Sequence, residues 1–231
     1  MPARNKVSYG KYSVRDEIIT HQSEGMAYMN QIAFVRHGQI AANRKGKWHG
    51  STDSSLTFKG NVQALKTAIH LSKINDIAAI YCSPLKRCKR TAQYIGTRLG
   101  LEIQIEDDLR EYGIGDWEGT PFLELQEKHN FIEKVIRDPD FSPPNGESLN
   151  DVNRRFSSLL HAIRRKHSEK ILIVSHGAAI AVALAHMLDQ TPTAWMKYHI
   201  SNCSITELNF LQKPFLTKYN NTAHLNRGLF S

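Results

Sequence analysis

The run Ile32-Ala33-Phe34-Val35-Arg36-His37-Gly38 carries four apolar residues and then stops in a cation, an imidazole and a glycine. A short apolar run with β-branched and aromatic residues and a glycine stop predicts a buried strand of a parallel sheet. Such a strand can end in Arg36 and His37 if something anionic meets them there. In open α/β sheets ligands collect at the carboxyl ends of strands, where the next helix begins. In that position Arg36 would hold a phosphate and His37 would be placed to attack it. Arg-His-Gly occurs by chance in many chains, so its meaning depends on partners elsewhere in the sequence.

Four further segments read as strands: 78–82, 102–106, 171–175 and 204–210. Helical patterns alternate with them. Residues 57–71 carry Val62, Leu65, Ala68, Ile69 and Leu71 as the apolar face, and residues 84–99 carry Leu85, Cys88, Ala92, Ile95 and Leu99 at helical spacing. Ser83 reads as the N-cap of that second helix, Pro84 as its first residue and Gly100 as its end. Residues 148–167 and 178–188 predict two more helices, the latter apolar nearly all round, and 122–136 another, ahead of the turn 142–146. Strands alternating with helices predict an α/β fold, a three-layer α/β/α sandwich with a mostly parallel central sheet.

Three strand ends then matter together. The first delivers Arg36 and His37. The second runs into a helix whose first turn carries Arg87, roughly 200° around from Leu85 and off the apolar stripe, beside N–H groups and a dipole that favour an anion. The third ends in His176-Gly177 and opens the next helix. Parallel strands would gather two arginines and two histidines at one edge of the sheet.

At 231 residues the chain fits one substantial domain, and 41% hydrophobic with 23% charged residues is ordinary for a soluble protein. Residues 1–30 are polar and aperiodic. They read as an N-terminal extension, open to being flexible, or as a start placed too early, since Met26 and Met29 lie just before the first strand. The domain itself is read as 31–231. No apolar stretch is long enough to cross a bilayer and the first residues lack a secretory hydrophobic centre, so no membrane partner is expected. Cys82, Cys88 and Cys203 have neither paired nor metal-like spacing, which fits a reducing cytoplasm. The net charge of +8 favours anionic partners. The basic clusters 86–90 and 164–166 lack interleaved aromatics, so nucleic acid is not favoured, and the second cluster reads as a solvated helix face.

The segments Arg36-His37-Gly38, Ser83-Pro84-Leu85-x-Arg87-x-x-x-Thr91-Ala92, Glu111-x-x-x-Gly115-x-Trp117-Glu118-Gly119 and Ser175-His176-Gly177 together resemble the histidine phosphatase superfamily, the phosphoglycerate-mutase-like family. Gly50-x-x-Asp53-x-x-Leu56-Thr57-x-x-Gly60-x-x-Gln63-Ala64 and Pro143-Pro144-Asn145-Gly146-Glu147-Ser148 are similar to it as well. The resemblance covers about residues 31–210. It implies a phosphoglycerate-mutase-like fold and hydrolysis of a small phosphorylated metabolite through a phosphohistidine. His37 would be the nucleophile. Arg36, Arg87, His176, Gly177 and Asn43 would hold the phosphoryl group. Glu111 would protonate the leaving oxygen and then help activate water. Flanking cations would keep His37 neutral. They would also oppose a proton on Glu111, which a dianionic phosphate could return, and this predicts an acidic-to-neutral optimum.

No metal and no cofactor are expected: there is no His-Glu-x-x-His, no zinc-like cysteine spacing and no Asp-rich calcium loop. The chain departs from the family at Ile40, at Ala42, at 178–181 where an arginine is often found, and at His49, which would stand near the leaving group. The segment between Glu111 and the Pro-Pro turn is shorter than in cofactor-dependent mutases, which favours the phosphatase branch. A phosphoglycerate mutase and a non-catalytic basic scaffold are the alternatives. The substrate is left open, and so is the oligomeric state, a dimer being one option.

Overall fold

The computed structural model describes residues 31–226 other than Asn75, together with Gly228; the extension expected over 1–30 lies outside the described residues. Six strands form one sheet: β1 (Gln31–Arg36), β2 (Ile77–Cys82), β3 (Ile103–Ile105), β4 (Lys170–Ser175), β5 (Ile205–Asn209) and β6 (Phe215–Asn221), in the order β3-β2-β4-β1-β5-β6. The first four in that order run parallel, β5 runs antiparallel to β1, and β6 runs antiparallel to β5. The seven α-helices described are α1 (Ala41–Arg44), α2 (Phe58–Leu71), α3 (Lys86–Leu99), α4 (Phe122–His129), α5 (Phe131–Arg137), α6 (Leu149–Lys166) and α7 (Gly177–Asp189).

Alternation of side chains along each strand divides the core into two layers. Ile32, Phe34, Tyr81, Ile171 and Ile173 face one way and share a cluster with Val152, Phe156 and Leu160 of α6 and with the apolar body of α7. Ala33, Val35, Ile80, Leu172 and Val174 face the other way, against Ala68 and Leu71 of α2 and Cys88, Ala92 and Ile95 of α3. All six residues of β4 are buried, as a central strand covered on both faces requires. Each fully buried Leu, Ile or Val contributes about 1.5–3 kcal/mol, and this sandwich is what holds the three strand ends in register.

Several sequence expectations are corrected. The helix expected over 122–136 is two helices, because Asn130 takes a left-handed conformation (φ 48°) that ends α4 and starts α5. The buried face of α2 is Gly60, Ala64, Thr67, Ala68 and Leu71, while Leu65 is exposed. Small residues are used there because the chain passes very close: a Cβ on Gly60 would stand 2.2 Å from the Gln39 carbonyl oxygen, and one on Gly38 would stand 2.4 Å from that of Gly60. The N-cap of α3 is Leu85 rather than Ser83, and no side chain caps it. Gly100 does end α3, in the left-handed conformation. In the cluster 164–166, Arg164 is not purely solvated; its guanidinium lies 3.9 Å from the centre of the Phe210 ring. Strand β6 was not anticipated; its polar, half-buried sequence lacks the apolar signal of an interior strand.

Candidate active site

The parallel registers put Arg36 beside Ser175 and Cys82 beside Val174. The ladder continues past the strands, with the His37 N–H donating to the Ser175 carbonyl (3.0 Å) and the Ser83 N–H to that of Val174 (3.1 Å). Three chain segments therefore leave the sheet side by side, carrying His37, Ser83 and His176.

His37 is 2% exposed. Its Nδ1 lies 2.8 Å from the Gly38 carbonyl oxygen, which can only accept, so Nδ1 carries the proton and the lone pair sits on Nε2. Burial first, then the Arg36 and Arg87 guanidinium groups, hold its pKa well below the ordinary histidine value. The ring is neutral at physiological pH. Cations were expected to keep it so; the structure adds burial as the larger cause.

His176 is fully buried, and its ring meets that of His37 edge-on at 5.2 Å. Its pKa is likewise pushed far down, by burial and then by Arg87, His37 and Arg36. Arg87 Nε donates to its Nδ1 (3.2 Å), which places the proton on Nε2, 2.8 Å from Ser83 Oγ. Both ring nitrogens thus have protein partners. The Ser83 hydroxyl that might have capped α3 serves this contact.

Arg87 is fully buried rather than surface-directed. Besides His176 it donates to the carbonyls of Thr52 (2.8 Å), His49 (3.1 Å) and Gly50 (2.7 Å). The loop that supplies these carbonyls is tied from its other side by Glu118, whose carboxylate accepts from the N–H groups of Gly50, Ser51 and Thr52 and from the Thr52 hydroxyl, at 2.7–3.2 Å. Arg87 keeps one N–H on Nη1 that these contacts do not use. The rest of the basic cluster faces elsewhere: Lys86, Lys89 and Arg90 line a groove of about 530 Å³ that contains none of the expected site residues.

Arg36 donates from Nη1 to the Ile200 carbonyl at 2.6 Å, while its buried Nε–H has no partner among the described residues. Gly177 permits this placement, since a Cβ there would lie 3.2 Å from the guanidinium carbon. Asn43 Oδ1 accepts from the Ile40 N–H and from Asn202 Nδ2, both at 3.1 Å, so the amide nitrogen of Asn43 is its free end. Glu111, 8% exposed, seats its carboxylate on the first turn of α7: Oε1 accepts from the N–H groups of Ala179 (2.8 Å) and Tyr112 (2.9 Å), Oε2 from Ala178 (3.2 Å). An anion belongs at that helix end. His49 contributes its carbonyl to Arg87, and its own Nε2 is buried without a partner among the described residues; burial, then Arg87, lowers its pKa.

The sequence reading missed Asn202, which also bonds the His37 carbonyl (3.0 Å), and missed Ile200, Glu118, Glu147 and Arg155. Glu118 and Glu147 stand in motifs quoted for the resemblance. The other three carry no local signal.

The geometry offers a neutral imidazole nitrogen beside cationic and amide donors, with a carboxylate at a helix end close by. A family model for the histidine phosphatase superfamily (branch 1) matches residues 32–222. An uncharacterized phosphatase, PhoE, of Bacillus subtilis is 34% identical over 200 residues, 85% of this chain and 97% of that one. A probable phosphoglycerate mutase, GpmB, of Cronobacter sakazakii is 31% identical over 191 residues, 81% of this chain and 88% of the relative. Among solved structures, a phosphoserine phosphatase from Entamoeba histolytica in complex with 3-phosphoglyceric acid is 32% identical with a TM-score of 0.77, covering 85% of this chain and 99% of that one. The chain belongs to the histidine phosphatase superfamily, with that family's fold and phosphomonoester hydrolase activity.

Proposed function

We propose that His37 is the nucleophile of this phosphatase and that the reaction runs through a phosphohistidine without a metal ion. The observation that carries the reading is the Nδ1 contact to the Gly38 carbonyl, which fixes the tautomer and leaves the Nε2 lone pair as the attacking one. In the first step a bond forms from Nε2 to phosphorus and the bond to the leaving oxygen breaks. Glu111, on the first turn of α7, gives that oxygen a proton. In the second step the Glu111 carboxylate takes a proton from water, whose oxygen bonds phosphorus as the phosphorus–nitrogen bond breaks and releases phosphate. The unpartnered Arg36 Nε–H, the Asn43 amide and the remaining Arg87 N–H supply donors to the phosphoryl oxygens. His176 contributes by holding Arg87 and the His37 ring in place, and Gly177 by giving Arg36 room.

Among the described residues no group of three or more His, Cys, Asp or Glu side chains could hold a metal ion. No described helix is long and apolar enough to cross a membrane. All three cysteines are buried and free, which supports a reducing cytoplasmic setting. The substrate is a small phosphomonoester, and His49, with its buried unpartnered Nε2, would meet its leaving group.

The test is a single turnover with ³²P-labelled substrate. Label bound to His37 and lost in His37→Ala, with the fold intact by circular dichroism, is expected; wild-type turnover in His37→Ala refutes the assignment. Chelator should leave turnover unchanged and vanadate should inhibit it. With 3-phosphoglycerate in excess, inorganic phosphate should be released; conversion to 2-phosphoglycerate primed by bisphosphoglycerate would make the protein a mutase.

A further inference from the structure

We infer that Arg155, locked by Glu147, is a positioning residue that aims the Glu111 carboxylate. The inference rests on the assignment of Glu111 as the proton donor. Glu111 lies on irregular backbone between a short 3-10 turn (Asp107–Leu109) and the turn that begins at Gly115. Outside a helix or ladder, the carbonyls of such a segment have no built-in partners, and each one buried unpaired costs about 1–3 kcal/mol.

Here six consecutive carbonyls, of residues 108–113, each receive a donor from elsewhere in the chain. Arg155 Nη1 donates to those of Asp108 (2.7 Å) and Arg110 (2.8 Å), and Nη2 donates to that of Glu111 (3.1 Å). Ser175 Oγ donates to that of Leu109 and Trp48 Nε1 to that of Tyr112. The Glu147 N–H donates to that of Gly113. Half of the segment's carbonyls therefore hang on one guanidinium.

That guanidinium is itself immobilised. Its Nε and Nη2 pair with the two oxygens of Glu147 at 2.7 and 3.0 Å, and Glu147 Oε2 also accepts from the Gly113 N–H at 2.9 Å. All five N–H donors of Arg155 are used. Its base is fixed by neighbouring Phe156 and Val152, both fully buried on α6. Glu111 is thus gripped at two ends, its carboxylate by the first turn of α7 and its backbone by Arg155. Proton transfer tolerates little displacement of the donor, and a shift of about 1 Å can cost a factor of about a hundred in rate. Lysine cannot reproduce the clamp, because one ammonium with three N–H groups cannot fork to a carboxylate and three separate carbonyls.

The test separates aiming from mere stability by leaving-group dependence. In the full chain, kcat/KM is measured for p-nitrophenyl phosphate, whose leaving phenolate needs little protonation, and for the alkyl phosphomonoester that wild type hydrolyses fastest. Arg155→Lys should lower the alkyl-to-aryl ratio of kcat/KM at least tenfold, and Glu147→Gln should lower it in the same direction by less. Glu111→Gln, the reference, should lower it most. An equal fall for both substrates, or no fall, in Arg155→Lys and Glu147→Gln while Glu111→Gln remains selective overturns the positioning role alone. If Glu111→Gln shows no selectivity, the proton-donor assignment fails and this inference with it. Should Arg155→Lys fail to fold, Glu147→Gln decides in the same way.

Discussion

Acid should destabilise this protein through the two imidazoles that meet at the ends of β1 and β4. His37 and His176 are buried and neutral, with folded pKa values held well below 6.5. The unfolded chain, where both rings titrate near the ordinary value, takes up protons first as pH falls. Stability from these groups is therefore complete above the unfolded value and is lost as pH drops through it toward the folded one. Each ring accounts for a loss of at most about 1.4 kcal/mol between pH 7.5 and 5.5, or about 2.7 kcal/mol for the pair. That is a large part of the total stability of a typical domain, about 5–15 kcal/mol. The assay is urea unfolding at the two pH values, with the slope checked to be constant. His37→Asn removes one titrating ring and should reduce the loss by up to about 1.4 kcal/mol relative to wild type. His49 and His199, whose pKa values are also lowered, are present in both proteins and cancel from the difference. An identical pH-dependent loss in wild type and His37→Asn would refute the account.

Other consequences are more local. Glu118→Gln removes the charge that ties the 50–52 loop from outside; the loss of about 1.4 kcal/mol from charged hydrogen bonds should lower the thermal midpoint by about 3–6 °C, and loosening the carbonyls that hold Arg87 should lower kcat/KM. Gly177→Ala places a methyl group 3.2 Å from the Arg36 guanidinium; steady-state kinetics should show kcat/KM reduced about tenfold or more while helix propensity leaves stability equal or slightly raised. Phe156→Ala opens a cavity between α6 and the sheet, against Phe34 at a ring separation of 6.1 Å, and chemical denaturation should show about 3–5 kcal/mol lost.

Much of the architecture was legible because its signals are local. The apolar runs of β1, β2 and β4, the spacing of Cys88, Ala92 and Ile95, and Gly100 as a helix stop all operate within a few residues. The break at Asn130 was less visible, since a left-handed asparagine inside an otherwise helical pattern looks like any exposed polar residue. On α2 the pattern misled: Leu65 suggested the inner face, but close backbone approach at Gly60 turned the small residues inward.

The sequence by itself determined that Arg36, His37, Arg87 and His176 would meet, because parallel strands 31–36, 77–82 and 170–175 must end on the same side of one sheet. Tertiary structure alone decided what those groups touch. Arg87 is occupied by the carbonyls of His49, Gly50 and Thr52, Arg36 by that of Ile200, and Arg155 by those of Asp108, Arg110 and Glu111. Every residue carries the same carbonyl, so nothing in a side-chain pattern marks which ones the fold will leave without a ladder partner. Those orphaned carbonyls appear only once the chain has packed, and the arginines that satisfy them shape the site.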